Sequence, residues 1–275
     1  MIGWGVAVIM GIVEGLTEFL PVSSTGHLII AGNLLGFVGD KAASFEVAIQ
    51  LGAILSVVWL YWRRFIGLVP GTTQFAATAE SSLNGWPGLW RIALATLPAL
   101  ALGYLARHGI KEKLFNPAAV TLALAVGGVA ILLVERFAAR RRRTNGLDAV
   151  TLAQALGVGL FQILALWPGT SRAAATIVGG MILGLERKAA AEFSFLIAVP
   201  VLCAASGYEL LKMRDQLLLD DGVALAIGFA VSFAVALLAI KGFVSFLSHG
   251  RLAPFAWYRI VVAPIFYFLT RGSEL

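Results

Sequence analysis

The chain has 275 residues, 59% of them hydrophobic and 13% charged, with a mean hydropathy of +0.88; soluble globular domains carry roughly 45–50% apolar and 25% charged residues. Such a composition excludes a water-soluble domain and makes the bilayer the relevant solvent for one membrane domain over 1–275. The formal net charge of +6 does not indicate nucleic acid, because the basic residues gather at the ends of apolar segments, as orientation signals do.

In chain order, the first apolar stretch covers about 3–36 and is broken by Leu20-Pro21-Val22-Ser23-Ser24-Thr25-Gly26. It lacks a basic leader and carries Glu14 and Glu18 where a signal peptide would be apolar, so it reads as part of the mature protein. Uninterrupted spans follow at about 44–62, 89–106 and 117–135, with a turn-rich connection at about 65–88 containing Pro70-Gly71, Asn84-Gly85 and Pro87-Gly88. A second broken stretch, about 149–185, is interrupted by Trp167-Pro168-Gly169-Thr170-Ser171-Arg172, and three more spans lie at about 189–211, 222–247 and 254–271. Cys203, the single cysteine, falls in an apolar run and is expected to serve packing.

The expected fold is an all-α polytopic membrane protein with six transmembrane helices plus two re-entrant helix pairs. Backbone that leaves helical geometry at membrane depth must be buried in protein or line a wet cavity, which makes the two breaks the places to look for function. The broken stretches also match at an offset of 147: Pro21 with Pro168, Ser24 with Ser171, Ile30 with Ile177, Gly32 with Gly179, and Lys41-Ala42-Ala43 with Lys188-Ala189-Ala190. An internal duplication follows, with repeat 1 at about 1–143 and repeat 2 at about 144–275. Arg136 and the run Arg140 to Arg143 set the cytoplasmic side by the positive-inside rule. Counting spans from there gives the repeats inverted topology and puts both chain ends outside. Inverted repeats are common in transporters, whose sites lie near the midplane between discontinuous helices.

Glu14 and Glu18 are four residues apart, so a helix presents both carboxylates on one face. Ionisable residues at membrane depth mark an ion path or a reaction site; the plainer reading is a helix end solvated in the interfacial region. Ser23, Ser24, Thr25 and Gly26 open a new half-helix with His27 in its first turn. Free N–H groups and a positive dipole end there suit phosphate or carboxylate. One hydroxyl is explained by ordinary N-capping, three in succession less well. In the second break Thr170 and Ser171 precede Arg172, whose guanidinium can hold two phosphate oxygens or pair with Glu14 or Glu18. This inventory suits phosphoryl transfer and an anion transporter about equally. Glu46, Gln50 and Glu192 near the membrane boundaries, and the pairs Gly11/Gly15, Gly32/Gly36 and Gly180/Gly184 at helix-packing spacing, are weaker signals.

The run Glu14-Gly15-Leu16-Thr17-Glu18-Phe19-Leu20-Pro21-Val22-Ser23-Ser24-Thr25-Gly26-His27 resembles the signature of the undecaprenyl-pyrophosphate phosphatases, the bacitracin-resistance proteins. Pro168-Gly169-Thr170-Ser171-Arg172 is similar to that family's second motif, and Phe45-Glu46-Val47-Ala48-Ile49-Gln50-Leu51-Gly52 and Glu192-Phe193-Ser194-Phe195 to its flanking helices. The family often follows the arginine with Ser-Gly, where this chain has Ala173 and Ala174, so one hydroxyl is absent. The resemblance implies hydrolysis of a C55 isoprenyl pyrophosphate lipid to its monophosphate in a bacterial inner membrane, with the site open to the periplasmic side. It also implies that Glu14, Glu18, Ser24, His27 and Arg172 do the chemistry. Ser23, Thr25, Gly26, Thr170 and Ser171 would then help Arg172 to bind substrate. The acid-phosphatase type of membrane phosphatase, with five residues between Ser-Arg and a histidine, does not fit, since Val178 stands at that position.

The mechanism expected is attack by Ser24 with Glu18 as base, charge held by Arg172 and the half-helix amides, and His27 protonating or orienting; attack by water or by His27 stays open. Glu14 and Glu18 are the ligands for a divalent cation, Mg2+ or Ca2+, if one is used, and no organic cofactor is expected. A lipid-phosphate flippase or transporter is the alternative function, and a homodimer is left open.

Overall fold

The computed structural model describes residues 2–72, 81–138, 144, 146–213 and 221–272. Its helices in order are α1 (Trp4–Thr17), α2 (Ser24–Leu35), α3 (Asp40–Leu60), α4 (Trp62–Leu68), α5 (Gly85–Leu114), α6 (Pro117–Ala138), α7 (Leu152–Gln162), α8 (Arg172–Ile182), α9 (Arg187–Met213), α10 (Gly222–Leu247) and α11 (Ala253–Thr270). A 3-10 turn, Ile163–Leu166, extends α7. Among the described residues there is no strand, only an isolated bridge between Thr144 and Leu185. The protein is thus an all-α polytopic membrane protein. Six helices, α3, α5, α6, α9, α10 and α11, are long and apolar enough to cross a bilayer.

The short helices are not. At 1.5 Å per residue α1 is about 21 Å long and α2 about 18 Å, below the roughly 30 Å of a hydrocarbon core. Each stops where the sequence stops it: Pro21 lies in the first break, and Pro168 and Gly169, the latter at φ +91°, in the second.

Packing exchanges elements between the two halves of the chain. α1 and α2 pack on α10 and α11, while α7 and α8 pack on α5 and α6. Small residues make the closest approaches possible. A Cβ on Gly11 would stand 2.7 Å from the Gly228 carbonyl oxygen, and one on Gly15 2.7 Å from that of Ser232, so this pair is a true helix-packing face. The same contacts put Glu14 level with Ser232, about 15 Å along α10 from its start. Gly159 meets the backbone of Leu94 and Ala95 on α5 in the corresponding way. Gly36 and Gly184, by contrast, end helices with positive φ and are not packing glycines.

The ends are tied down by polar contacts. Asp221, ahead of α10, accepts the Ile2 amide at 2.8 Å and pairs with Lys41 at 3.7 Å; the Ile2 hydrogen bond holds its carboxyl below the ordinary range. At the opposite end Arg64 forks onto the Asp148 carboxylate, and Arg187 pairs with Glu135 at 2.7 Å.

Two expectations change here, and a third is not reached. The connection at 65–88 is not all turn: α4 reaches into it and α5 begins at Gly85, while 73–80 lie outside the described residues. Cys203 is exposed on the surface of α9 and packs no core. Arg140 to Arg143, the main orientation signal, lie outside the described residues.

Candidate active site

Both short helices begin in the same unusual way. Ser23 caps α2 with φ 76° and accepts the Gly26 amide at 3.5 Å; Ser171 caps α8 with φ 71° and accepts the Ala174 amide at 3.1 Å. They are the two non-glycine residues with positive φ among those described. Such backbone costs about 1–3 kcal/mol per residue and persists where its surroundings over-determine it, often at functional sites. The geometry also corrects the sequence register. The cap serines are 148 residues apart, as are the helix-ending glycines Gly36 and Gly184, whereas α3 and α9 start 147 apart at Asp40 and Arg187. One extra residue between α2 and α3 accounts for the difference. Ser23, not Ser24, is therefore the counterpart of Ser171, and Ser24 is the counterpart of Arg172.

Those two counterparts meet on one carboxylate. Ser24 Oγ donates to Glu18 Oε2 at 2.5 Å, and Arg172 Nη2 donates to Glu18 Oε1 at 3.1 Å. Glu18 lies at the end of α1, 6% exposed, so the ion pair is buried. Arg172 is fixed further by Nη1, which donates to the Ser194 carbonyl and hydroxyl oxygens, both at 3.1 Å. Thr176 Oγ1 lies 2.7 Å from Ser194 Oγ, and the guanidinium stands 5.5 Å over the Phe19 ring. Its Nε is buried without a partner. Arginine thus occupies the carboxylate-paired arrangement that its sequence position allowed, with Glu18 and not Glu14 as the partner.

Glu14 is 1% exposed, and both its carboxylate oxygens lack a partner among the described residues. No group of three or more His, Cys, Asp or Glu residues able to hold a metal occurs among them either. A site completed by substrate phosphate needs fewer protein ligands, since Mg2+ is commonly held by one or two carboxylates plus phosphate oxygens. Glu14, with both oxygens uncommitted beside the Glu18 turn, fits that donor set.

His27, one turn into α2, folds back so that Nδ1 lies 2.7 Å from the Ser23 carbonyl oxygen, while Nε2 lies 2.6 Å from Tyr258 Oη on α11. Thr25 is exposed beside it. The side chain of Ser23 and the amide of Gly26 are committed to the cap. The uncapped first-turn amides of α2 and α8 have no intrahelical acceptor. In the second break the Thr170 carbonyl is taken by Arg259 at 2.8 Å.

Arg259 had no place in the sequence reading. It is fully buried, and its five N–H donors reach five backbone carbonyls: Leu124, Pro21, Thr170, Ala123 and Gly169, at 2.8–3.2 Å. One side chain on α11 thereby joins both breaks to α6. Gly127 leaves it room, since a Cβ there would stand 2.2 Å from Arg259 Nη2. The available signal was a lone cation inside an apolar span, which is a functional hypothesis by default. Of the weaker candidates, Gln50 accepts from Ser206 at 2.8 Å and Glu192 from Tyr61 at 3.4 Å, so both act as ties between helices.

The structure defines a class: polytopic helical membrane proteins in which two broken segments converge on a buried arginine, carboxylates and a hydroxyl. The sequence matches the family described as bacitracin resistance protein BacA over residues 7–265. The chain belongs to that family. It is 56% identical over 268 residues to the undecaprenyl-diphosphatase of Maridesulfovibrio salexigens, covering 95% of this chain and 97% of that protein. It is 53% identical over 262 residues to that of Solidesulfovibrio magneticus, covering 95% and 96%.

Proposed function

We propose that this protein is a membrane phosphatase that hydrolyses undecaprenyl pyrophosphate to undecaprenyl phosphate and inorganic phosphate, which recycles the lipid carrier for cell-wall synthesis and confers bacitracin resistance. The observation that carries the chemical reading is the Glu18 carboxylate shared by Ser24 and Arg172. A hydroxyl 2.5 Å from a carboxylate is the arrangement of an activated nucleophile and its base. Ser24 Oγ attacks the terminal phosphorus, its proton passes to Glu18 Oε2, and the bond to the bridging oxygen breaks, releasing the lipid monophosphate. The Glu18 proton leaves on that monophosphate oxygen; water then attacks the phosphoserine, its proton passing to Glu18 and on to Ser24 Oγ as the serine P–O bond breaks and phosphate is released.

Proton transfer has a second consequence. A protonated Glu18 has no charge for Arg172, so the guanidinium turns from the carboxylate to the phosphoryl oxygens as negative charge develops there. First-turn amides of α2 and α8 supply further donors. His27 protonates the phosphate or orients it. A divalent cation, when present, would be held by Glu14, with Glu18 beside it, and would neutralise pyrophosphate charge.

The two halves of the chain are read as inverted-topology repeats with re-entrant helix pairs, a reading supported by the exchanged packing and the twin serine caps. The protein sits in the bacterial inner membrane with the site toward the periplasmic side. Purified protein in detergent tests the function: release of inorganic phosphate from the isoprenyl pyrophosphate supports it. Lipid movement in sealed vesicles without any phosphate release would favour a flippase.

A further inference from the structure

We infer that Tyr258 is a positioning residue for His27, fixing the tautomer and ring plane that the imidazole presents at the site; this rests on the phosphatase reading. A carbonyl oxygen only accepts hydrogen bonds, so the 2.7 Å contact between His27 Nδ1 and the Ser23 carbonyl requires the proton on Nδ1. In the neutral ring Nε2 is then an acceptor, and the Tyr258 hydroxyl at 2.6 Å is its donor. The rings also stack, with centroids 5.6 Å apart and planes 8° from parallel. Tautomer, ring plane and the direction of the Nε2 lone pair are thus set by two residues 235 positions apart in the chain, Ser23 in the first break and Tyr258 on α11.

The arrangement is anchored on both sides. The Ser23 carbonyl belongs to the strained cap, and Tyr258 precedes Arg259, which is bound to both breaks. A shift of α11 relative to α2 would therefore disturb His27 even though no residue of α11 shares its helix. Tyr258 is 44% exposed, so its ring is not core packing, and its hydroxyl is the feature whose placement the geometry explains. Arg259, the next residue on α11, gives all of its N–H donors to backbone carbonyls and none to this ring.

Tyr258→Phe keeps the ring and removes the donor. With the isoprenyl pyrophosphate as substrate, kcat falls about tenfold while KM stays within about twofold, the pattern of impaired proton transfer in place of impaired binding. Selective 15N labelling of the three histidines, with the His27 signal assigned from its loss in His27→Gln, reads the tautomer directly. The wild type shows the Nδ1-protonated form, and Tyr258→Phe moves the Nε2 resonance. An Nε2-protonated wild-type His27, or unchanged kcat in Tyr258→Phe with an unmoved signal, overturns the inference. Wild-type protein that releases no phosphate overturns the phosphatase reading instead, and the tautomer measurement still decides the role of Tyr258 without it.

Discussion

Ser24 and Arg172, the first residues of two short helices from opposite halves of the chain, bind the two oxygens of one buried carboxylate, Glu18, at 2.5 and 3.1 Å. The same helix position supplies a hydroxyl in one half and a cation in the other, and both are delivered by a serine cap with positive φ.

Ser24→Ala removes the nucleophile, and turnover falls by at least about a thousandfold; Glu18→Gln removes the base and costs about 10²–10⁴. Because the two act as one unit, the double variant is no slower than Ser24→Ala alone. Steady-state phosphate release measures all three. Additive losses would separate Glu18 from the serine step.

Arg172→Lys keeps the charge, yet one ammonium cannot hold Ser194 and Glu18 in the same forked geometry. The expected loss in kcat is about 10²–10³, as for removal of a transition-state donor. Near-normal turnover would contradict the role given to the guanidinium.

At Ser171 the usual order of substitutions inverts. Glycine adopts φ 71° without strain, while alanine keeps the strain and loses the cap. Thermal unfolding in detergent should place Ser171→Gly above Ser171→Ala by about 1 kcal/mol. An equal or reversed order would show that the backbone there is not strained.

Arg259 joins elements that are distant in sequence, so its loss falls on stability as well as rate. Gly127→Ala, which pushes a methyl group into the guanidinium, costs about 1–3 kcal/mol by overpacking. Arg259→Lys leaves several of the five carbonyls unsatisfied and lowers the melting temperature further.

Much of this architecture was legible in the sequence because bilayer thickness leaves few choices. The six spans are long apolar runs, and the breaks announce themselves through Pro21, Pro168 and the hydroxyl clusters. Glu14, Glu18 and Arg172 were visible as charges in apolar surroundings. What could not be read depends on distance along the chain: Tyr258 reaches His27 across 231 residues and Arg259 reaches Pro21 across 238. The register of the two caps was hidden by one additional residue between α2 and α3, which makes an offset of 147 correct for the later helix and wrong for the earlier one. Cys203 misled because, in a membrane protein, an apolar run has a lipid-facing side as well as a packed one.

The most direct test of the mechanism is to trap the phosphorylated enzyme from substrate labelled in its terminal phosphate and to map the label. The label is expected on Ser24 and absent from Glu18→Gln on the same timescale. Label on His27, or full turnover with no phosphoenzyme and solvent oxygen entering phosphate in a single step, would contradict attack by Ser24.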